Sequence, residues 1–406
     1  MKLTNVILYT LAALSIAVPA QAAKNDSINT DYRRSSLCSF LISRTDQKLY
    51  GEIQDVYLDI PTPDQYNNHD LSIRILNVDK KGSYATDIDS WLTNNYVASR
   101  LVGRWFDRNI LTGECDLDLV KSRGLYDATA FDKELAARSA RGLAQLEDAG
   151  EELIGNTFVL VHEAHYIDKA QRSKNVATGL RILGSVAGAF LGSGISDLMD
   201  NVADMTETFK GFRVKFHTRL YQLVWDEETS TNFYANMYSQ NADTVKMQAF
   251  ENGRGSFKLK YIGDVESKGN LNSFMGINED QPELMIRKAC QRAIDDNVCD
   301  LQKAYDVFRV KSPILEILDN KTLTVAIGMK EGITMESEYE VLEPEEVNGK
   351  IKYNRIGTIV PVEHKIWDNR YMAKEEGAVG SELTATTFKV KSGKTPYEGL
   401  LVRQIK

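Results

Sequence analysis

The sequence predicts an α+β protein, with a mixed α/β N-terminal region followed by a small β-barrel or sandwich. Three observations carry this. Residues 153–225 read as helix end, short turn, strand, insertion and strand, a succession typical of α/β and α+β folds. Residues 284–308 carry one long apolar stripe at helical spacing: Ile286, Cys290, Ala293, Leu301 and Phe308. Beyond Pro313 the chain turns to short alternating runs punctuated by Gly328, Gly332, Gly349, Gly357, Gly393 and Gly399. The expected domains are a signal peptide over 1–22, the mixed region over 23–310 with a glycine-rich insertion at 176–208, and the barrel over 311–406.

At the start, Lys2 supplies a charged end, residues 6–18 an apolar run, and Ala20-Gln21-Ala22 a small-x-small cleavage site. The chain is therefore expected to be exported, to the periplasm or in association with the outer membrane. With 43% hydrophobic and 26% charged residues, what remains can build real cores. The net charge of −8 argues against nucleic acid as a partner, since phosphate binding needs surplus cations. Cys38, Cys115, Cys290 and Cys299 permit two disulfides in an exported chain, with the pairing open. Their spacing does not suit zinc. On a single helix over 283–309, Cys290 and Cys299 stand about 13 Å apart along the axis, too far to bond.

Taken in order, residues 24–36 are polar and loose, 37–42 read as a strand, and 53–60 as a further segment of strand type. Residues 61–70 hold turn chemistry, and 71–78 alternate as a strand. Asp87 or Asp89 can cap a helix running to about Arg108, with Trp91, Tyr96, Leu101 and Phe106 among its apolar residues. Thr129 can cap the next, which carries Leu143, Leu146, Ala149 and Leu153 and stops at Gly155-Asn156. A strand at 157–161 follows. Residues 226–282 read as β structure with glycine turns. The C-terminal strands are placed at 323–327, 339–342, 351–362, 383–390 and 400–405.

The stretch 156–225 organises the chain. In its closing strand Val214, Phe216, Thr218 and Leu220 share one face, and Arg213, Lys215, His217 and Arg219 share the other. That gives a half-buried strand with a cationic outer face, either solvated or turned to an anionic partner. In the insertion, residues 182–196 carry no charge, and Gly184, Gly188 and Gly192 recur four apart, as in a glycine zipper. A helix over that run is about 22 Å long, short for a single membrane span. Three readings stay open: a flexible loop, a helix buried against this chain, or a self-associating or membrane-touching element.

Two families share parts of this pattern. The run 153–161, with the insertion and the strand from Val214, resembles the periplasmic α/β domain of curli-secretion-type envelope proteins. That family carries a lipid-anchored Cys at its mature start, and no Cys follows the cleavage site here. The runs 327–333, 339–341 and 355–359 are similar to the C-terminal barrel of flagellar assembly protein T. The whole chain resembles exported envelope proteins of Bacteroides-type bacteria. These resemblances imply a structural or assembly role in the envelope and no particular chemistry.

Catalytic motifs point the same way. His162-Glu163-Ala164-His165 has one residue too few between Glu and the second His for a zincin, and it lies in a strand, where His162 and His165 point to opposite faces. Gly253-Arg254-Gly255 reads as a turn, and Glu343, Glu345 and Glu346 as a solvated loop. No catalytic residue, metal ligand or cofactor site is expected. The expected function is an exported cell-envelope protein working through protein–protein or membrane-surface contacts, including self-association. Gly184, Gly188, Gly192, Arg213, Lys215 and Arg219 are its interaction candidates. The alternative is an exported hydrolase or carbohydrate-binding protein with a dispersed site.

Overall fold

The computed structural model describes residues 34–45, 49–78, 84–126, 150–166, 213–270, 282–347 and 350–405, with the isolated positions 133 and 137. The N-terminal sheet contains β1 (Ser36–Ile42), β2 (Asn67–Asn68), β3 (Ile75–Leu76), β4 (Thr157–Tyr166), β5 (Arg213–Leu223) and β6 (Leu259–Asn270). The main order is β2-β1-β4-β5-β6, with β3 also paired to β1. β2, β3 and β4 run parallel to β1, whereas β5 and β6 run antiparallel to their neighbours.

Helices cover both faces. They are α1 (Tyr50–Asp59), α2 (Tyr84–Asn94), α3 (Val97–Trp105), α4 (Asp118–Tyr126), α5 (Glu227–Asn236), α6 (Thr244–Gly253) and α7 (Pro282–Ala304). On one face Cys38, Phe40, Val159 and Val161 pack with Leu101, Trp105, Phe106, Phe233 and Phe250. On the other, Leu41, Ala164, Val214 and Phe216 meet Ile53 and Tyr57 of α1 and Ile286, Cys290 and Ala293 of α7. Leu37, Phe158, Leu160 and Leu220 continue that second core against Leu301 and Phe308. The result is a three-layer α/β region, and alternation along β4 and β5 decides which side chain enters which core.

Several local expectations need correction. Residues 53–60 are not strand-like: they belong to α1, whose Tyr50, Ile53 and Tyr57 are buried at spacings of three and four. The expected helix from 87 to about 108 is two helices. Tyr96 adopts a left-handed conformation, φ 51°, and turns the chain between α2 and α3. Of the expected β structure over 226–282, Leu259–Asn270 is strand, but Glu227–Asn236 and Thr244–Gly253 are helices. Asp226 accepts a hydrogen bond from the Thr229 amide, and Asp243 accepts from those of Val245 and Lys246, so each nucleates a helix as its N-cap. The expected helix from Thr129 lies largely outside the described residues, and 153–156 form a 3-10 turn. Of 71–78, only Ile75–Leu76 is strand. All four cysteines are buried free thiols, where two disulfides had been permitted. Cys38 lies inside the first core, and burial pushes its thiol up to about 12.

The C-terminal part is a closed antiparallel ring of β7 (Ser312–Ile317), β8 (Thr322–Val325), β9 (Tyr339–Val347), β10 (Lys350–Pro361), β11 (Thr386–Gly393) and β12 (Leu401–Gln404), in the order β10-β11-β8-β7-β12-β9. The α+β class, with its C-terminal barrel, is therefore the observed one. β7 is the strand missed in sequence, because Pro313 reads as a helix stop. Proline is tolerated near a strand start, and here Pro313 pairs with Leu401.

The barrel has its own core, with Leu323, Val325, Ile359 and Phe388 fully buried. It docks on α7 through charge. Lys288 and Arg292 both pair with Glu376, and Arg292 also donates to the Tyr371 carbonyl at 2.9 Å. Cys299 Sγ lies 3.1 Å from the Lys330 carbonyl it donates to. Because the barrel core closes on itself, residues 311–406 expressed alone should give dispersed amide NMR signals and a cooperative melt. A collapsed spectrum would show that the barrel needs α7 to fold.

Candidate functional site at the carboxyl end of the sheet

Because β1, β3 and β4 are parallel, their carboxyl ends lie along one edge, at Ile42, Leu76 and Tyr166. β5 begins and β6 ends at the same edge. In open α/β sheets the space beyond the carboxyl ends is where ligands and partners are received. Here that edge also gathers a set of charged side chains on one sheet face.

The registers show how. Glu163 lies opposite His217, and His165 opposite Lys215. On β6, Glu266 stands beside His217, Asp264 beside Arg219, and Lys268 beside Lys215. Glu163 Oε1 accepts from Arg44 and from His165 Nε2 at 3.0 Å. Lys215 pairs diagonally with Glu266. His217 Nε2 reaches Asp264 Oδ2 at 2.6 Å, and the Tyr261 hydroxyl donates to the other oxygen of that carboxylate. The outer face read as cationic is therefore a ladder of mixed charge, with each such pair worth about 0.2–1 kcal/mol.

Titration follows these partners. The hydrogen bonds from His217 and then Tyr261 hold Asp264 below the usual carboxylate range. Burial pushes Glu163 up, but His165 and Arg44 outweigh it and hold the carboxyl low. His162 is on the opposite face from His165. It is buried, packs edge-on to Tyr57, and has Nδ1 at 2.8 Å from Thr218 Oγ1, which also accepts from Asn297 at 2.6 Å. Burial, with the Arg74 charge, lowers His162 to about 3, so it serves as a neutral core strap between the sheet and α7.

The interaction candidates divide. Lys215 and Arg219 sit on the ladder; Arg219 stacks over the Tyr261 ring at 5.9 Å. Arg213 opens β5 opposite Asn270, with its side chain outside the described residues. Gly184, Gly188 and Gly192 lie outside the described residues. Sequence reasoning missed Tyr261, Asp264, Glu266 and Lys268. The exposed alternation of Asp264, Glu266 and Lys268 around Val265 and Ser267 was a usable signal.

Among the described residues, no group of three or more His, Cys, Asp or Glu side chains is placed to hold a metal ion. No described helix is long and apolar enough to cross a membrane. The chain matches no protein-family model and no curated protein.

Proposed function

We propose that the protein is an exported cell-envelope structural or assembly protein, acting through protein–protein or membrane-surface contacts at this sheet edge. One observation carries the reading: Tyr166 and Val214 are cross-strand partners. Residues 167–212, including the uncharged glycine-zipper run, therefore leave and re-enter the sheet at one adjacent pair, beside the charged ladder. A segment rooted in this way adds little to the fold it interrupts, because loop-closure cost grows only slowly with length. Within it, the uncharged run 182–196 with its regular glycines suits close approach to another helix or surface.

The test is excision of 176–208 with a short polar linker, alongside replacement of Gly184, Gly188 and Gly192 by Leu. Both proteins should melt within a few degrees of the parent. Both should also lose self-association in the ultracentrifuge or flotation with liposomes. Association and flotation unchanged in both variants would remove the insertion from the contact role.

A further inference from the structure

A second surface feature lies on the same sheet face, toward α2, and shares only Tyr261 with the charged ladder. Asp89 of α2, Tyr96 of the α2–α3 turn, Tyr221 of β5, Arg254 and Lys258 of the segment between α6 and β6, and Tyr261 of β6 line a crevice of about 200 Å³. At about 30 Å³ per water, that is room for roughly seven waters, on the scale of one sugar ring. We infer that this crevice binds a pyranose unit of an oligosaccharide.

The side chains have the two faces this ligand needs. A pyranose presents a patch of C–H bonds on its ring face and hydroxyls around its rim. Tyr96 and Tyr261 are 40% and 43% exposed, and both border the crevice. Tyrosine offers a large apolar ring with a polar tip, at little loss of side-chain freedom on binding. Behind them, Tyr221 is buried and its ring lies 5.4 Å from that of Tyr261. The Tyr221 hydroxyl donates to Asp89 Oδ1 at 2.7 Å, which fixes the carboxylate and takes only one of its oxygens. Asp89 can accept from sugar hydroxyls, and the Arg254 guanidinium can donate to them.

The crevice is also held in shape before any ligand arrives. Tyr96 is a non-glycine residue in the left-handed region, a conformation that costs about 1–3 kcal/mol and persists where the surroundings impose it. The Arg254 guanidinium lies 4.4 Å over the Tyr96 ring, while Arg254 Nε is engaged by Glu251 at 3.2 Å. The Arg254 side chain is thus anchored on one side and stacked on the other. A rigid aromatic wall facing a fixed carboxylate suits a polar ring better than a flexible apolar ligand.

Cellobiose, N,N′-diacetylchitobiose and digalacturonate, titrated calorimetrically into the full chain, test this. At least one should bind in about the millimolar range. Tyr261→Ala and Tyr96→Gly should each weaken that binding at least about tenfold; glycine accepts the left-handed backbone, so the second variant keeps the fold while losing the ring. Binding of a neutral disaccharide assigns recognition to the tyrosines and Asp89. Binding of digalacturonate alone, with the same losses, adds Arg254 and Lys258 as the groups that read its carboxylate. No heat with any of the three, or binding undiminished in both variants, overturns the inference. Neither result bears on the insertion.

Discussion

Replacing Glu376 by alanine is expected to destabilise the protein by about 3–5 kcal/mol, the usual consequence of stranding buried charge. Glu376 is the shared anion for two cations from α7. Lys288 is only 4% exposed at its side chain and Arg292 22%. Removing the carboxylate takes away the anion that both cations share at a largely desolvated position. Lys288 is the more deeply buried of the two, so the larger part of the effect should come from it. A double variant, Lys288→Met with Glu376→Leu, should recover most of the loss, because apolar groups of similar size need no compensation there. Urea denaturation of the single and double variants measures both. A loss under about 1 kcal/mol in Glu376→Ala would mean that water already reaches the pair.

Asp295→Asn should change how stability depends on pH. Asp295 is buried on α7 where it faces the barrel, and its Oδ2 has no hydrogen-bond partner. Burial raises its carboxyl to about 7; the Lys330 charge opposes this, and Glu331 and Asp296 reinforce it. In the unfolded chain an aspartate titrates near 3.8. Between those values the folded protein holds a proton that the unfolded chain releases. The group's contribution is therefore complete below about pH 4 and is lost as pH rises through about 7. Three pH units correspond to at most about 4 kcal/mol. Asparagine carries no such titration, so the variant should match the parent near about pH 4 and exceed it near about pH 8. An equal gap at both pH values would show that the carboxyl ionises in the fold as it does in water.

Much of the fold was legible because alternation is a strong signal. Val214, Phe216, Thr218 and Leu220 are all buried on one face of β5, the division read from the sequence. The glycine-punctuated runs past Pro313 became a closed ring of strands. What failed was information carried by single residues. Asp226 and Asp243 start helices by accepting backbone amides, a local event that hydrophobic periodicity over 226–253 does not register. Tyr96 breaks a pattern that would otherwise read as one helix. The candidate site was less legible still. Glu163 and His165 stood out as a motif of the wrong spacing, yet Lys215 and His217 reach them through cross-strand register and Arg44 from the loop after β1, which no local window contains. The tyrosine crevice is assembled from α2, β5 and β6, and its residues are scattered from 89 to 261.

Among the described residues β6 pairs only with β5, which leaves its outer side as a sheet edge of twelve residues. Such an edge is a template for joining other chains into extended sheets. The chain interrupts the template midway. The pairing with β5 shifts register near Tyr221, and the nearby Asp264 amide donates to the Tyr305 hydroxyl at 3.1 Å instead of to a visiting strand. Tyr305 can lie there only because residue 263 is glycine; a Cβ at that position would stand 1.9 Å from its hydroxyl oxygen. Any larger residue at 263 would displace the tyrosine and free the Asp264 amide for a visiting strand.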